Sequence, residues 1–171
     1  MTTVLKMETY EPPPSEPVIT VVDTLPEHIN ALGHNLRDRD IQMAALAGLP
    51  PHRALWRLWR QSIMCKTILV EGEPVAAFGC LGIFLGRIGK PWLVTVPYAE
   101  EYPLKFVFRY RSELRKMLKR FLVLEDWVCV KDEKTVRLMQ ILGFKFEPPK
   151  LMNGIEFMRV TLERDVYDKN V

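Results

Sequence analysis

Three consecutive β-rich runs in the middle of the chain restrict its fold more than any other feature. They cover residues 66–71, 74–84 and 91–96, and the turn signal Glu71-Gly72-Glu73-Pro74 joins the first two. Because each run is short and apolar, they predict strands of one sheet, the first two joined by the tight turn. Helical segments on both sides of these runs supply the cover that such a sheet needs. We therefore expect a fold that combines α-helices with a β-sheet.

The remaining elements follow from apolar periodicity and from the positions of Pro and Gly. Before the runs, the pattern predicts a strand at 18–22 and helices at 26–36, 37–47 and 51–63, the first with Thr24 as a candidate N-cap. After them it predicts the longest helix at 103–124, a strand at 126–130, a helix that Asp132 caps and Gly143 ends, and strands at 144–147 and 155–162, the last one after an Asn153-Gly154 turn.

Length and composition fit one folded domain. The chain has 171 residues, of which 48% are hydrophobic and 26% charged, enough for a single core. Its first 17 residues include Pro12, Pro13, Pro14 and Pro17, so we expect an extended arm followed by one domain at 18–171. No apolar run approaches the roughly 18 to 20 residues of a membrane span, and the N-terminus has no apolar signal core. We therefore expect neither membrane insertion nor secretion.

The cysteines and histidines form no motif that carries chemistry. Cys65, Cys80 and Cys129 each lie in an apolar stretch, and none is spaced as in a CxxC site. We interpret them as buried thiols rather than as disulfides or nucleophiles. His28 and His34 are six residues apart, which is not a same-face helical spacing. We therefore expect no metal site.

The final third of the chain carries a specific resemblance. The segment 126–144 reads as a short buried strand, then a helix with a Leu-Gly-Phe end. This segment, and the order of elements over about 17–164, resembles the GNAT (Gcn5-related N-acetyltransferase) fold. The family's helix usually reads N-x-x-A-x-x-L-Y-x-x-x-G-F, and Leu138, Gly143 and Phe144 match it as structural residues. The resemblance implies a three-layer α+β fold, in which a mixed, mostly antiparallel sheet is flanked by helices. It also implies a V-shaped cleft between the fourth and fifth strands.

The functional residues of that helix differ here. Asp132 stands where the family commonly has Asn, and Thr135 where it has Ala. Met139 stands where the family has the Tyr that protonates the departing CoA thiolate. A thioether has no proton to donate, so that general-acid role is lost. We therefore assign no catalytic residue.

The family's cofactor loop has no counterpart either. Its pattern, R/Q-x-x-G-x-G/A, lets glycine N–H groups approach a pyrophosphate at a helix N-terminus. The same junction here, residues 96–103, has no glycine but two prolines and two carboxylates. Prolines lack an N–H, and carboxylates repel a diphosphate. We therefore expect no bound cofactor.

A closer resemblance covers roughly residues 92–162. The matching stretches are Trp92-Leu93-Val94-Thr95, a basic long helix, Trp127-Val128-Cys129-Val130, the helix that ends at Gly143 and the closing Asn-Gly hairpin. They resemble the GNAT-like internal virion proteins of short-tailed (podovirus) bacteriophages. The resemblance implies a non-catalytic virion or assembly protein on a degenerate acetyltransferase fold. It also implies docking to portal, tail or internal core proteins in a multi-copy assembly, located in the virion and, during assembly, in the host cytoplasm.

Two basic rows and the proline arm are the candidate interaction surfaces. The long helix carries seven Lys or Arg residues against one Glu, and the helix at 51–63 interleaves arginine with tryptophan. The residues that we assign to docking are Pro12, Pro13, Pro14, Trp56, Arg57, Arg60, Arg109, Arg115, Lys116 and Lys119. The same basic faces fit weak contact with packaged DNA, or are simply solvated.

An enzymatic alternative stays open. The chain would then be an N-acyltransferase that uses acetyl-CoA with a divergent cofactor loop. In that case Tyr98, Glu100 and Tyr102 would lie near the mouth of the cleft as candidate acids or bases. A solvated loop with packed aromatic rings is the simpler interpretation of the same three residues.

Overall fold

A single sheet runs through the computed structural model, which describes residues 16–83, 85, 87–97, 99 and 103–167. The strands of this described part are β1 (Ile19–Asp23), β2 (Met64–Val70), β3 (Glu73–Ile83), β4 (Ile88–Thr95), β5 (Val123–Cys129), β6 (Lys145–Phe146), β7 (Lys150–Met152) and β8 (Ile155–Glu163). Its helices are α1 (Pro26–Gly33), α2 (Asp38–Leu46), α3 (Pro51–Gln61), α4 (Pro103–Arg120), α5 (Glu133–Leu142) and α6 (Arg164–Tyr167). The strand order is β1-β2-β3-β4-β5-β8-β6, and β7 pairs with β8 off this path. Every described pairing is antiparallel except that of β4 with β5.

Helices lie on both faces of the sheet, as the sequence predicts. Neighbouring residues of a strand point to opposite faces, so Phe78 and Gly79 of β3 distinguish the two. The Phe78 ring packs edge-on against Tyr110 of α4, with 5.5 Å between ring centroids. Gly79 pairs with Trp92, whose indole N–H donates to Ser62 Oγ just after α3, at 2.7 Å. We call the two sides the α4 face and the α3 face.

The long helix α4 buries the apolar stripe that its spacing predicts. Tyr110, Leu114, Met117 and Leu118 are all at most 3% exposed, and Phe121 directly after the helix is fully buried. These side chains form the core of the α4 face together with inward residues of β3, β4 and β5. The helix is therefore fixed along its inner side, and its outer side is left to polar residues.

Two tight turns set the hairpin registers. Glu71 and Gly72 have φ values of 50° and 84°, and Asn153 and Gly154 have φ values of 50° and 77°. Positive φ at both central residues is the type I′ geometry, whose twist matches that of antiparallel strands. Both turns predicted from the sequence are therefore confirmed.

Two helix ends differ from the sequence prediction. α4 ends at Arg120 rather than near residue 124, because the Leu122 N–H donates to the Arg87 carbonyl at 2.9 Å and the chain turns into β5. α1 ends at Gly33, so Leu36 lies beyond it. The helix propensity of the residues that follow α1 and α4 favours longer helices, whereas the packing of the chain beyond them ends both earlier.

The predicted cap of α1 is also wrong. Thr24 Oγ1 donates to Cys65 Sγ at 3.2 Å, and the helix begins after Leu25 instead. The Leu25 N–H donates to Nδ1 of His28 at 3.2 Å, so the side chain of a histidine in the first turn binds the backbone at the start of the helix. The short elements β7 and α6 were not predicted, because neither has a periodic pattern of its own.

The chain ahead of β1 is described only from Glu16 onward. Pro12, Pro13 and Pro14 of the predicted arm lie outside the described residues. Immediately before β1, the Val18 N–H donates to Glu71 Oε1 at 2.7 Å. No helix in the described ranges is both long and apolar enough to cross a membrane.

Gly89 of β4 is a position where packing requires hydrogen as the side chain. A Cβ atom there would lie 2.6 Å from Cδ2 of Phe121 and 2.8 Å from Sγ of Cys80. We expect Gly89→Ala to lower the free energy of unfolding by about 1–3 kcal/mol, because the buried ring must move. Urea unfolding followed by circular dichroism measures this loss.

Gly33→Ala is the matched control for that substitution. A Cβ atom at Gly33 would meet His52 Cβ at 3.4 Å, an ordinary contact. Alanine is the better helix former, so this variant should be unchanged or more stable by up to about 1 kcal/mol. Equal losses from the two substitutions would contradict the tight packing assigned to Gly89.

Candidate functional site

The parallel strands β4 and β5 separate almost as soon as they meet. Their register pairs only Ile88 with Val123 and Gly89 with Leu124. Beyond these pairs β4 continues along β3, and β5 continues along β8. A V-shaped gap therefore opens between the two strands toward their carboxyl ends, where the sequence resemblance places a cleft.

An ion pair lies at the vertex of this gap. Lys90 Nζ is 3.9 Å from Oδ1 of Asp126, just past the last strand pairs. Burial raises the pKa of Asp126 to about 6, although the nearby Lys90 ammonium lowers it. Burial also raises the pKa of Tyr110, and the charge of Asp126 adds to that shift. The vertex thus holds a mostly buried carboxylate that exchanges its proton close to neutral pH.

A second polar cluster lies at the open end of the gap, where α5 follows β5. Arg39 of α2 forms an ion pair with Asp132, and its Nη1 donates to Thr135 Oγ1 at 2.5 Å. Asp132 Oδ1 accepts the Thr135 N–H at 3.2 Å, which confirms Asp132 as the cap of α5. The two residues that replace the family's Asn and Ala are therefore both bound by Arg39.

The inner edge of β4 presents backbone groups to the gap. The Val96 N–H donates to the Val75 carbonyl on β3 at 2.9 Å. Because alternate residues of a strand point their backbone groups to opposite edges, those of Leu93 and Thr95 point toward β5. Pro91 shares this orientation but has no N–H. An extended ligand with amide groups can pair with this edge as an added strand.

The junction after β4 is poor in hydrogen-bond donors. Its described residues are 96, 97, 99 and 103. The Val96 and Ala99 N–H groups already bond to backbone carbonyls, the latter to Val96 O at 3.0 Å. Pro97 and Pro103 have no N–H, and Pro103 is the first residue of α4. These four residues therefore offer no free N–H to a diphosphate. The candidate acids and bases Tyr98, Glu100 and Tyr102 lie outside the described residues.

The motif residues of α5 serve the fold. Gly143 has φ of 88° and ends the helix in the left-handed conformation, and Phe144 behind it is buried. Leu138 packs, partly buried, against the core. Met139 is 7% exposed and presents a thioether where the family has its tyrosine. This position therefore has no group that can protonate a leaving thiolate.

A cavity of about 640 Å³ adjoins the gap on the α3 face. Leu124 pairs with Gly89 and so points to the α4 face, which places Trp127 and Cys129 on the other side. These two residues form the floor of the cavity, and Met43 of α2 forms part of its opposite wall. Sequence reasoning missed this cavity because its residues have the composition of a core. The sequence offers no separate signal for it, because only the structure shows that Ala44 is the sole buried residue of α2.

The predicted docking residues do not form one surface. Arg109, Arg115, Lys116 and Lys119 are exposed on the outer side of α4, beside Phe108, which is 67% exposed. They lie on the α4 face of the sheet. The second basic row belongs to α3, on the opposite face.

On α3, the arginines and the tryptophan have different roles. Arg57 and Arg60 are exposed. Trp56 packs, partly buried, against the core and lies edge-on to Trp59, with 5.0 Å between ring centroids. Its indole N–H donates to Asn30 Oδ1 at 3.1 Å. Trp56 is therefore engaged in the fold, which leaves the two arginines as the accessible part of this row.

The cysteines are free thiols, but only Cys80 is buried as the sequence interpretation expects, whereas Cys65 and Cys129 are partly exposed. Burial raises the pKa of Cys80 to about 12 and that of Cys65 to about 11. Thiols with a raised pKa are poor nucleophiles at neutral pH. In the described ranges, no three His, Cys, Asp or Glu side chains are grouped as a metal site would require.

Comparison with known proteins identifies the architecture. No family model matches the chain, and no curated protein matches it by sequence. Among solved structures, a GNAT-family acetyltransferase from Bacillus anthracis has a TM-score of 0.68 at 10% identity, over 86% of this chain and 95% of that one. A spermidine N-acetyltransferase SpeG chimera from Vibrio cholerae and hSSAT has a TM-score of 0.66 at 13% identity, over 87% and 97%. The Salmonella typhimurium protein yncA, solved with its cofactor acetyl-CoA, has a TM-score of 0.63 at 14% identity, over 86% and 94%. The chain therefore has the GNAT acetyltransferase fold.

Proposed function

We propose that the chain is an N-acyltransferase whose acyl donor carries a pantetheine arm, as acetyl-CoA does. The observation that carries this proposal is the gap between β4 and β5, with the ionisable Asp126 at its vertex. Similar folds that act as acetyltransferases support the same reaction class. Fold alone does not establish a reaction, so the argument rests on the groups inside the gap.

Asp126 is the residue that we propose as the general base. Acyl transfer to an amine requires a group that accepts the amine's proton as the nitrogen attacks the acyl carbon. A carboxylate with a pKa of about 6 is ionised at pH 7 and is a stronger base than an exposed aspartate. The donor's C–S bond breaks as the new C–N bond forms, and the leaving thiolate takes its proton from solvent, since Met139 has none to give. Lys90 and Arg39 lie near enough to stabilise the Asp126 carboxylate before it takes the amine's proton and after it releases that proton to solvent.

The gap suits the pantetheine arm of acetyl-CoA but not its diphosphate. The inner edge of β4 offers the backbone groups of Leu93 and Thr95, which suit the amides of a pantetheine arm. The described junction after β4 has no free N–H for the diphosphate. We therefore derive no catalytic step through the nucleotide part, and we propose that pantetheine contacts dominate donor binding.

A non-catalytic role is the second candidate function. The specific observations in its favour are Met139 at the tyrosine position and the described residues of the junction before Pro103, none of which offers a free N–H. In this proposal the chain is a virion or assembly protein of a short-tailed bacteriophage, present in the virion and, during assembly, in the host cytoplasm. Arg109, Arg115, Lys116 and Lys119 on α4 would then dock to portal, tail or core proteins, or contact packaged DNA. Arg57 and Arg60 would do the same on the opposite face.

Calorimetric titration with acetyl-CoA and with S-acetyl-pantetheine separates the two candidates. If pantetheine contacts dominate, both ligands should bind, with affinities within about tenfold of each other, because the diphosphate then contributes less than about 1.4 kcal/mol, the free energy of a tenfold change in affinity. A binding-competent Asp126→Asn variant should lose about 100-fold or more of any acyl transfer. If neither acetyl-CoA nor S-acetyl-pantetheine gives heat at millimolar concentration, the acyltransferase proposal is rejected and the docking role is left.

The raised pKa of Asp126 also predicts a pH dependence of stability. The folded-state pKa of about 6 lies above the ordinary value of 3.8, so the folded protein holds this proton more tightly. The stabilisation is complete below about pH 4 and is lost as the pH rises through 6. Relative to wild type, Asp126→Asn should therefore gain about 1–3 kcal/mol of unfolding free energy between pH 4 and pH 7.

Urea unfolding of both proteins across that pH range measures the gain. Asp23→Asn is the control for removal of one carboxylate, because the Asp23 side chain is 86% exposed. A constant difference between wild type and Asp126→Asn at all pH values would show that Asp126 has an ordinary pKa.

A further inference from the structure

We infer that the cavity on the α3 face binds an elongated small molecule with an apolar body and a carboxylate group. The cavity measures about 640 Å³, within the range of small-molecule sites. It lies beside the β4–β5 gap but is lined by α2, β5 and β8 rather than by β4. Its ligand chemistry follows from its walls, its length and its charges.

The walls of the cavity are apolar. The side chains of Met43, Leu46, Trp127, Ile155 and Phe157 line it. Met43 and Leu46 are 37% and 48% exposed, although they point toward the sheet across the cavity. Filling the cavity with apolar atoms would remove this surface from water, which favours binding.

The shape of the cavity favours an extended body. A second hollow of about 290 Å³ shares Met43, Leu46, Ile155 and Phe157 with the first and continues toward Met152 and Asn153 at the β7–β8 turn. A compact polar molecule would leave this extension unfilled. An alkyl chain or a linear aromatic group can occupy both parts.

The charged side chains that line the cavity carry a net positive charge. Arg39 and Lys131 are its cations, and Asp132 is the one carboxylate among its described lining residues. Because Asp132 is paired with Arg39, Lys131 supplies the excess positive charge. Lys150 Nζ lies 5.8 Å from the centre of the Trp127 ring, which places one further cation beside a lining residue. This environment stabilises a carboxylate and disfavours a polyamine.

The ligand's role as an acyl acceptor rests on the proposed function. Arg39 connects the two sites, because it lines the cavity and also lowers the pKa of Asp126. An acceptor bound here would carry its amine close to its carboxylate, as an α-amino acid with a long apolar side chain does. The binding site itself does not depend on this role.

Calorimetry of the full chain with decanoate, decylamine and spermidine tests the inference. Decanoate should bind, and decylamine should bind at least about fivefold more weakly because its ammonium meets a positively charged lining. Spermidine should give no heat, because it is cationic and has no long apolar body. Leu46→Asp should weaken decanoate binding at least tenfold. Ile41→Asp is its matched control, since Ile41 is 41% exposed on the same helix but does not line the cavity.

Charge reversal at the rim gives a second, independent readout. Lys131→Glu should remove the preference for decanoate over decylamine. Lys119→Glu changes the net charge equally, but on the α4 face, and should leave that preference intact. Equal effects of Leu46→Asp and Ile41→Asp, or no binding of decanoate at millimolar concentration, would overturn the inference. So would binding that appears only after residues 1–15 are deleted, since the chain's own segment would then be the occupant.

The amphiphile 2-aminodecanoate distinguishes this inference from the proposed function. If it binds but is not acylated by acetyl-CoA or S-acetyl-pantetheine, the acceptor role fails and the binding site stands. If other amines are acylated while neither 2-aminodecanoate nor decanoate binds, the binding site is rejected and the acyltransferase proposal stands.

Discussion

The short parallel pairing between β4 and β5 is the constraint on which the rest of the site depends. Two pairs of residues hold the strands together, and then each follows its antiparallel partner on the other side. Antiparallel ladders are somewhat more stable per residue than parallel ones, so the sheet opens at this junction rather than elsewhere. Phe121 packs so closely over Gly89 that the vertex has no room for a side chain at this position. Every group that the acyltransferase proposal uses lies at this vertex or along the gap, and the apolar cavity lies beside it.

The charges near the gap show how this chain departs from the usual residues of its fold. Asp132 and Thr135 would leave polar groups without partners at the start of α5, and Arg39 supplies the partner for both. Burial of a carboxylate without a cation is costly, so the three residues are best understood as one unit. The same arginine ties α2 to the body of the protein. Because α2 buries only Ala44 by packing, this polar tie positions the wall of the apolar cavity.

The sequence predicts the fold well because its signals are local. The type I′ turns at Glu71-Gly72 and Asn153-Gly154, the stripe of α4 and the Asp132 and Gly143 ends of α5 each depend on a few adjacent residues. The errors occur where a distant contact overrides propensity. Leu122 bonds to Arg87 and ends the long helix early, and Thr24 bonds to Cys65 rather than capping α1. The candidate site is harder to predict, because Lys90 and Asp126, like Arg39 and Asp132, are far apart in the chain.

The sequence by itself determined the order of strands and helices along the chain, the turns and the resemblance to the GNAT fold. It also showed that residues 96–103 contain no glycine and that Met139 replaces the family's tyrosine. These features depend on residue type and local spacing alone. The tertiary structure decided which groups meet at the gap, that Trp56 is engaged in the fold, and that the basic rows lie on opposite faces. It also decided that apolar residues of α2, β5 and β8 line an open cavity instead of packing against one another. Such properties depend on how far separate elements stand apart, and that distance is set by the packing of the whole sheet rather than by any local pattern.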